Sequence, residues 1–427
     1  MNSSHLFALF IAVPVIALAE TNPPGWSQFR GPNRDGLSTE KGLLQEWPQD
    51  GPKMLWQTKG VGAGLGSVSI GHGKIFVAGR RKEGQCITAL DLGTQKELWF
   101  TQISEKGDGP NTTPTFDGER VYAVSKDGKL LCCDAETGRE LWRKDYVADF
   151  GGKMMSGWGY SESPLVDGDA VVVVPGAGDA MMVALNKRTG EVLWKSAMPA
   201  DPGKKGKDGA GYSGVVVSNG AGVKQYLTLA GRGLISVRAS DGKTLWIYNP
   251  VANGTANIPT PLAWDDYIFT SSGYGTGAAL LQLKKDGDNV IAEEKYFLKA
   301  SQFQNHHGGM VRIGDYIYAG KGHNNGMPVC LEWKTGKIVW EQSDRPGRES
   351  AAVIAADGDL YFRWQDGTMG LIEASPEGYK LKGAFKLPVV KGPSWPHPAI
   401  SDKKLYVRVD DQLLCYDLSS VKEKTLP

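Results

Sequence analysis

Neither sign of charge dominates this chain: 48 Lys and Arg stand against 47 Asp and Glu, a formal net charge of +1 over 427 residues. No global field draws it to nucleic acid or to an anionic membrane, so nucleic acid is set aside as a partner. Long amphipathic helical patterns are absent, and long apolar runs are too. The strongest run, Leu6 to Leu18, is too short to cross a bilayer. Cysteine is scarce, at five residues, and none directly follows that run, so lipidation at the expected cleavage site has no acceptor.

The run ends in Ala17-Leu18-Ala19 before Glu20 and a Pro-rich stretch. It reads as a secretory signal peptide over residues 1–19 with a small-residue cleavage site, although no Lys or Arg precedes it. A membrane anchor is the alternative. The expected product is periplasmic or secreted and monomeric, with no membrane span after processing. Residues 20–49 form an N-terminal extension, 50–418 one domain and 419–427 a C-terminal tail.

What is abundant is Gly, at 56 residues, with 13 Trp and 23 Pro, as expected of many short strands joined by tight turns. One phrase recurs. Asp91, Asp134 and Asn186 each open a short turn, followed by Gly138 or Gly190 in the clearer copies, and the phrase closes on Trp99, Trp142 and Trp194. The anchor aromatics are Trp56, Trp99, Trp142, Trp194, Trp246, Tyr296, Trp340 and Phe385, spaced by 43 to 52 residues. That period indicates a propeller or solenoid. Each unit reads as four strands, as in Pro114–Phe116, Val121–Val124, a third strand, and a short outer strand ending on the anchor. The last unit, from Trp395 to Leu418, lacks an anchor, whereas Trp56 has an outer strand without the other three. The fold class predicted is all-β: an eight-bladed β-propeller of four-stranded antiparallel blades, its ring closed by an N-terminal strand.

The repeated phrase resembles the tryptophan-docking motif of the PQQ-like, or quinoprotein-type, β-propellers over about residues 50–418. The opening Trp26, Phe29, Arg30, Arg34 and Gly36 resemble the N-terminal signature of secreted bacterial members. The resemblance implies relatives of two kinds. One is quinone-dependent alcohol dehydrogenases; the other is the propeller lipoprotein of the outer-membrane β-barrel assembly machine. Fold does not choose between them.

Function is sought where the repeat is broken. The residues six places before each Asp-Gly turn are Gly66, Asn111, Ser161, Ser213, Ile258, His307, Ala351 and Trp395. Propeller geometry places them at the mouth of the central channel. Candidate acid–base residues are His306, His307, Glu162 and Tyr160, since imidazoles can exchange protons near neutral pH. Strand alternation predicts that only one of His306 and His307 faces the channel. Candidate ligand contacts are Trp158, Tyr212, Asn257, Asn305, Trp395 and His397 on strand entries. Tyr274, His323, Arg232, Arg348 and Arg363 join them from nearby loops, the arginines as partners for a carboxylate or sulfate group. Polar capping or solvated surface explains many of these residues equally well. No metal ligand set is recognised.

Quinoprotein alcohol dehydrogenases carry a vicinal disulfide at their cofactor, a role that Cys132 and Cys133 invite. The repeat argues against it. Cys132, Cys330 and Cys415 take the small slot of Ala89 and Ala184, and adjacent strand residues point to opposite faces. Five buried free thiols are expected. PQQ with calcium is possible but disfavoured, because no acidic constellation accompanies Glu162. Three readings stay open. The first is a binder of a polar small molecule, glycan or protein partner, the second a carbohydrate-active lyase or glycosidase, and the third a PQQ-dependent dehydrogenase.

Overall fold

A computed structural model describes residues 25–392 and 394–420; the signal-peptide assignment and most of the C-terminal tail lie outside the described residues. Eight antiparallel sheets form the ring. Blade 1 consists of Val68–Gly71, Lys74–Arg81, Gly84–Asp91 and Glu97–Ser104 from the axis outward, and the next six blades repeat that order. Blade 8 takes Ala399–Ser401, Lys404–Val409 and Gln412–Asp417 from the C-terminus and its outermost strand, Met54–Lys59, from the N-terminus. Trp56 pairs with Cys415 across that junction. The ring is closed as the repeat predicts, leaving no broken blade at the seam.

The recurrent phrase works between blades. In blade 2 the Asp134 carboxylate accepts from the Thr137 amide at 2.9 Å and from its hydroxyl at 2.7 Å, which shapes the turn. Gly138 then takes φ 72°, a conformation that side chains disfavour. A second constraint applies at the same place. The Trp99 ring of blade 1 lies against Gly138, where a Cβ would stand 2.5 Å from Trp99 Cδ2. Trp99 also donates to the carbonyl of Ala135 at 3.2 Å. Trp142 meets Gly190 and Trp194 meets Gly242 in the same way, so the outer anchor of one blade seals against the turn of the next. Opposite the tryptophan anchors sits a narrow residue of the third strand, as in Ala89 with Trp99, Cys132 with Trp142 and Cys330 with Trp340.

All five cysteines are free and buried. Cys132 packs in the cluster with Trp142, and Cys133 in the cluster with Trp99. Adjacent side chains thus serve opposite faces of one sheet, and a bond between them would need both on one face.

The N-terminal extension fills the axial opening. Trp26 bridges to Ile70 of blade 1, and the Ser27 carbonyl accepts from Phe116 of blade 2 at 2.9 Å. Arg34 donates to the carbonyls of Ser163 and Pro164 beside blade 3 at 2.6 and 2.9 Å. Arg30 donates to the carbonyl of Met310 in blade 6. Leu37–Ser38 then pairs in parallel with Ala355 and Ala356 of blade 7. Eight blades leave a wide axis, and this segment closes it with Trp26, Arg30 and Arg34, all nearly fully buried.

Candidate functional site

Above the plug, on the face built from strand-entry loops and second-to-third-strand loops, lies a cavity of about 340 Å³. Phe29 and Arg30 belong to its lining, so the channel mouth is blind, with the N-terminal segment as its floor. Trp158, Tyr212, Tyr274, His306, His307, Trp395 and His397 converge on it, together with Asn111, Ser161 and Lys126. Trp158 stands at the rim, 54% exposed, with its ring centroid 6.3 Å from that of Trp395. A wider groove of about 740 Å³ opens on the opposite face along Asp167, Lys224 and Arg238. Within it Lys224 is paired with Asp167 at 2.8 Å.

The imidazoles form one wall. His306 Nδ1 lies 2.8 Å from Ser350 Oγ, and His306 Nε2 lies 3.1 Å from the Tyr274 hydroxyl. Ser350 in turn donates to Asn324 Oδ1 at 3.4 Å. The chain of donors assigns the proton of His306 to Nδ1, with Tyr274 donating to Nε2. The rings of His306 and His307 are 4.3 Å apart, and His307 is 5.0 Å from Trp395. His397 packs edge-on against Phe29 at 5.1 Å. Burial, aided by the neighbouring imidazole of His323, lowers His306 to about 4. Burial and the nearby Arg30 charge lower His397 to about 3. His307 is also held well below its ordinary value, by burial and then by His306, His397 and His323. The wall is therefore neutral at physiological pH, able to donate and accept without a net charge.

Both His306 and His307 line the cavity, against the expectation from strand alternation. Pairing in their strand jumps from Asn305 with Lys321 to Met310 with Ala319, so the residues between them bulge out of the ladder. Trp158, Tyr212, Tyr274, Trp395 and His397 join them in the lining. His323 stands just outside, its ring 4.3 Å from both Tyr274 and His306.

The remaining candidates are placed elsewhere. Glu162 is buried and turned into blade 3, where its carboxylate accepts from the Tyr146 hydroxyl at 2.8 Å and the Val174 amide at 3.3 Å. Ser161 and Ser163 on either side of it reach the cavity, so alternation sends Glu162 the other way. Burial raises Glu162 to about 7, against lowering by those bonds and by Arg34. Tyr160 is buried and donates to the Pro175 carbonyl at 3.0 Å. Asn257 is spent on the carbonyls of Ala230 and Gly231, and Asn305 on those of Gly309 and Gly320. Arg363 staples blade 7 to blade 8 through Ser394, Pro396 and Arg408. Arg232 is tied to Asp208 at 2.7 Å, and Arg348 is exposed away from the lining.

Phe29, Arg30 and Lys126 line the cavity without having been site candidates in the sequence. Lys126 sits in a loop between second and third strands, where the propeller rule could have found it. Phe29 and Arg30 lie outside the repeat, where no ruler drawn from blades can reach.

A family model described as outer membrane protein assembly factor BamB matches residues 40–145 and 83–342. The chain is 25% identical over 169 residues to outer membrane protein assembly factor BamB of Nitrosomonas eutropha, covering 40% of this chain and 35% of that protein. It is 26% identical over 193 residues to quinohemoprotein alcohol dehydrogenase ADH IIB of Pseudomonas putida, covering 44% of this chain and 27% of that one. The matched stretch thus spans about a third or less of these relatives' length. The crystal structure of BamB from Moraxella catarrhalis superposes with a TM-score of 0.61 at 15% identity, over 86% of this chain and 99% of that one. At that identity the likeness shows the fold alone.

PQQ with calcium is the cofactor weighed from the sequence. Calcium takes six to eight oxygens, carboxylates foremost. No Asp or Glu belongs to the cavity lining, and Glu162 points away from it. Among the described residues no group of three or more His, Cys, Asp or Glu is arranged to hold a metal ion. The donor set of this cavity does not fit a calcium-held quinone.

Proposed function

The chain belongs to this family of PQQ-type propellers, the one whose model is described as outer membrane protein assembly factor BamB, and on that premise we propose that it is an exported binding protein whose channel mouth receives a sugar-like small molecule. The observation that carries this reading is the convergence of Trp158, Trp395, Tyr212 and Tyr274 with two neutral imidazoles above Phe29. Flat aromatic faces suit the C–H faces of a sugar ring, while imidazoles, Asn111 and Ser161 suit its hydroxyls. A cavity of about 340 Å³ lies near the small end for ligand sites, which favours one or two rings over a long chain. The apolar run Leu6 to Leu18 would serve as the export signal.

A partner protein is the second reading, suggested by the relatives' name and favoured by the half-exposed Trp158 at the rim. It would insert a single side chain into the cavity. A carbohydrate-active enzyme would have to work through the imidazoles, because no pair of carboxylates of the kind used in glycoside hydrolysis faces the cavity.

The test is titration of intrinsic tryptophan fluorescence with mono- and disaccharides, on wild type, Trp158→Ala and His307→Ala. Saturable binding weakened about tenfold or more in both variants, at unchanged melting temperature for the exposed Trp158, is the expected result. If no saccharide perturbs the wild-type signal, the reading is wrong. Bond cleavage by wild type that disappears in His307→Ala would move the protein to the enzyme class.

A further inference from the structure

The floor of the cavity has a chemistry that a neutral sugar would leave unused. Arg30 is 1% exposed, and its Nε and Nη2 donate to the carbonyls of Arg34, Asp35 and Met310. Its Nη1 is buried and has no partner. Among the described residues no carboxylate forms an ion pair with Arg30; the nearby Asp35, whose side chain accepts from the amide of Leu37 at 2.9 Å, offsets its charge only in part. Burial lowers Arg30 only to about 10, so the guanidinium is charged at neutral pH. A buried, unpaired charge is costly unless something compensates it.

The backbone is arranged to put this charge there. The Gly31 amide donates to the Gln28 carbonyl at 3.1 Å, closing a turn whose third position is Arg30. Arg30 takes φ 63°, where glycine is normally found and a side chain adds strain. Opposite it, Gly309 has φ 71°, and a Cβ there would stand 1.9 Å from Arg30 Nη1 and 3.0 Å from His397 Cε1. A side chain at 309 would collide with the guanidinium and crowd His397. His397 Nδ1 and His307 Nε2 are likewise buried without partners. The charged lining residues are Arg30 and Lys126, both cationic.

We propose that Arg30 forms an oxyanion subsite at the cavity floor, so that the ligand is an acidic sugar whose carboxylate or sulfate reaches Arg30 Nη1. This rests on the reading of the cavity as a sugar site. The aromatic wall holds the ring, and the anion end fixes its orientation, pointing down the channel axis. A charge-assisted hydrogen bond in such a place is worth roughly 10- to 100-fold in affinity.

The experiment compares three probes of one ring, glucose, glucuronate and glucose 6-sulfate, with the matching galactose series, by calorimetry on wild type, Arg30→Gln and Arg30→Lys. The subsite requires an acidic probe to bind wild type at least tenfold more tightly than its neutral counterpart. It also requires that preference to collapse toward one in Arg30→Gln. Which of carboxylate and sulfate wins identifies the anion. Equal affinity of neutral and acidic probes for wild type overturns the subsite and leaves the sugar site standing, and this comparison needs no variant. A preference that survives in Arg30→Gln assigns it to another group, Lys126 first, and also overturns the proposal. Saturable binding by none of the probes removes both the subsite and the sugar reading.

Discussion

The rings of His306 and His307 stand 4.3 Å apart on one wall, although the residues are consecutive in the strand Asn305–Ile313. A regular strand would have placed them on opposite faces. The bulge between Asn305 and Met310, with Gly309 at φ 71°, turns the pair so that both reach the same cavity. Clustering then has an electrostatic consequence. His306 discourages His307 from protonating, and His323 does the same to His306, in addition to the cost of burial.

Acid should reveal that cost. His397 at about 3 and His306 at about 4 lie below the ordinary 6.5, so the unfolded chain binds protons that the folded chain refuses. Their effect is to lower stability as pH falls below 6.5. Glu162, raised to about 7, acts in the opposite sense: its folded form holds a proton that the unfolded chain releases from about 4.5 upward, so its contribution is lost as pH rises to 7. Glu162→Gln keeps the acceptor for Tyr146 and removes that opposing term. Urea midpoints should show the variant more stable than wild type at pH 8, by on the order of 2 kcal/mol. Its loss of stability between pH 7 and 5 should also be the steeper. Parallel pH curves would refute the assignment.

The seal between blades should be testable at one glycine. Gly138→Ala combines a left-handed backbone with a Cβ 2.5 Å from the Trp99 ring, and should cost about 2–4 kcal/mol. Gly168→Ala is the control, because it shares a positive φ of 58° but has nothing within 4 Å of the added carbon. It should cost about 1 kcal/mol. Equal losses in the two variants would mean that backbone strain, and not the ring contact, explains the Gly138 effect.

The thiols should be silent until the protein unfolds. All five are buried, and burial pushes Cys132 up to about 12 and Cys133 well above the ordinary thiol value. An aromatic disulfide reagent at pH 8 should label no cysteine in the native protein and five after denaturation without reductant. Three labelled thiols after denaturation would instead indicate a Cys132–Cys133 bond.

Read from the sequence, the blade number, the closing strand at Trp56 and the free state of the cysteines rest on periodicity. A period survives loop variation because every copy must make the same docking contact, Trp99 on Gly138 or Trp142 on Gly190. For the same reason the six-residue ruler found Asn111, Ser161, Ile258, His307 and Trp395, which all line the cavity. It also returned Gly66, Ser213 and Ala351, which do not, because height along a strand says nothing about how closely the next blade packs.

Side-chain direction and partnership were decided only by the folded packing. Glu162 and Tyr160 occupy the right stretch of chain, yet Glu162 Oε1 and the Tyr160 hydroxyl are bonded away from the cavity, to Tyr146 and to the Pro175 carbonyl. Arg363 carries the right charge but spends it joining two blades. Arg30 belongs to no repeat at all, and its place at the floor exists because a segment some 280 residues distant from Met310 threads the ring and bonds to it. Local chemistry sets turns, strand period and docking pairs. The occupant of the axis depends on contacts between segments far apart in the chain, which no local pattern encodes.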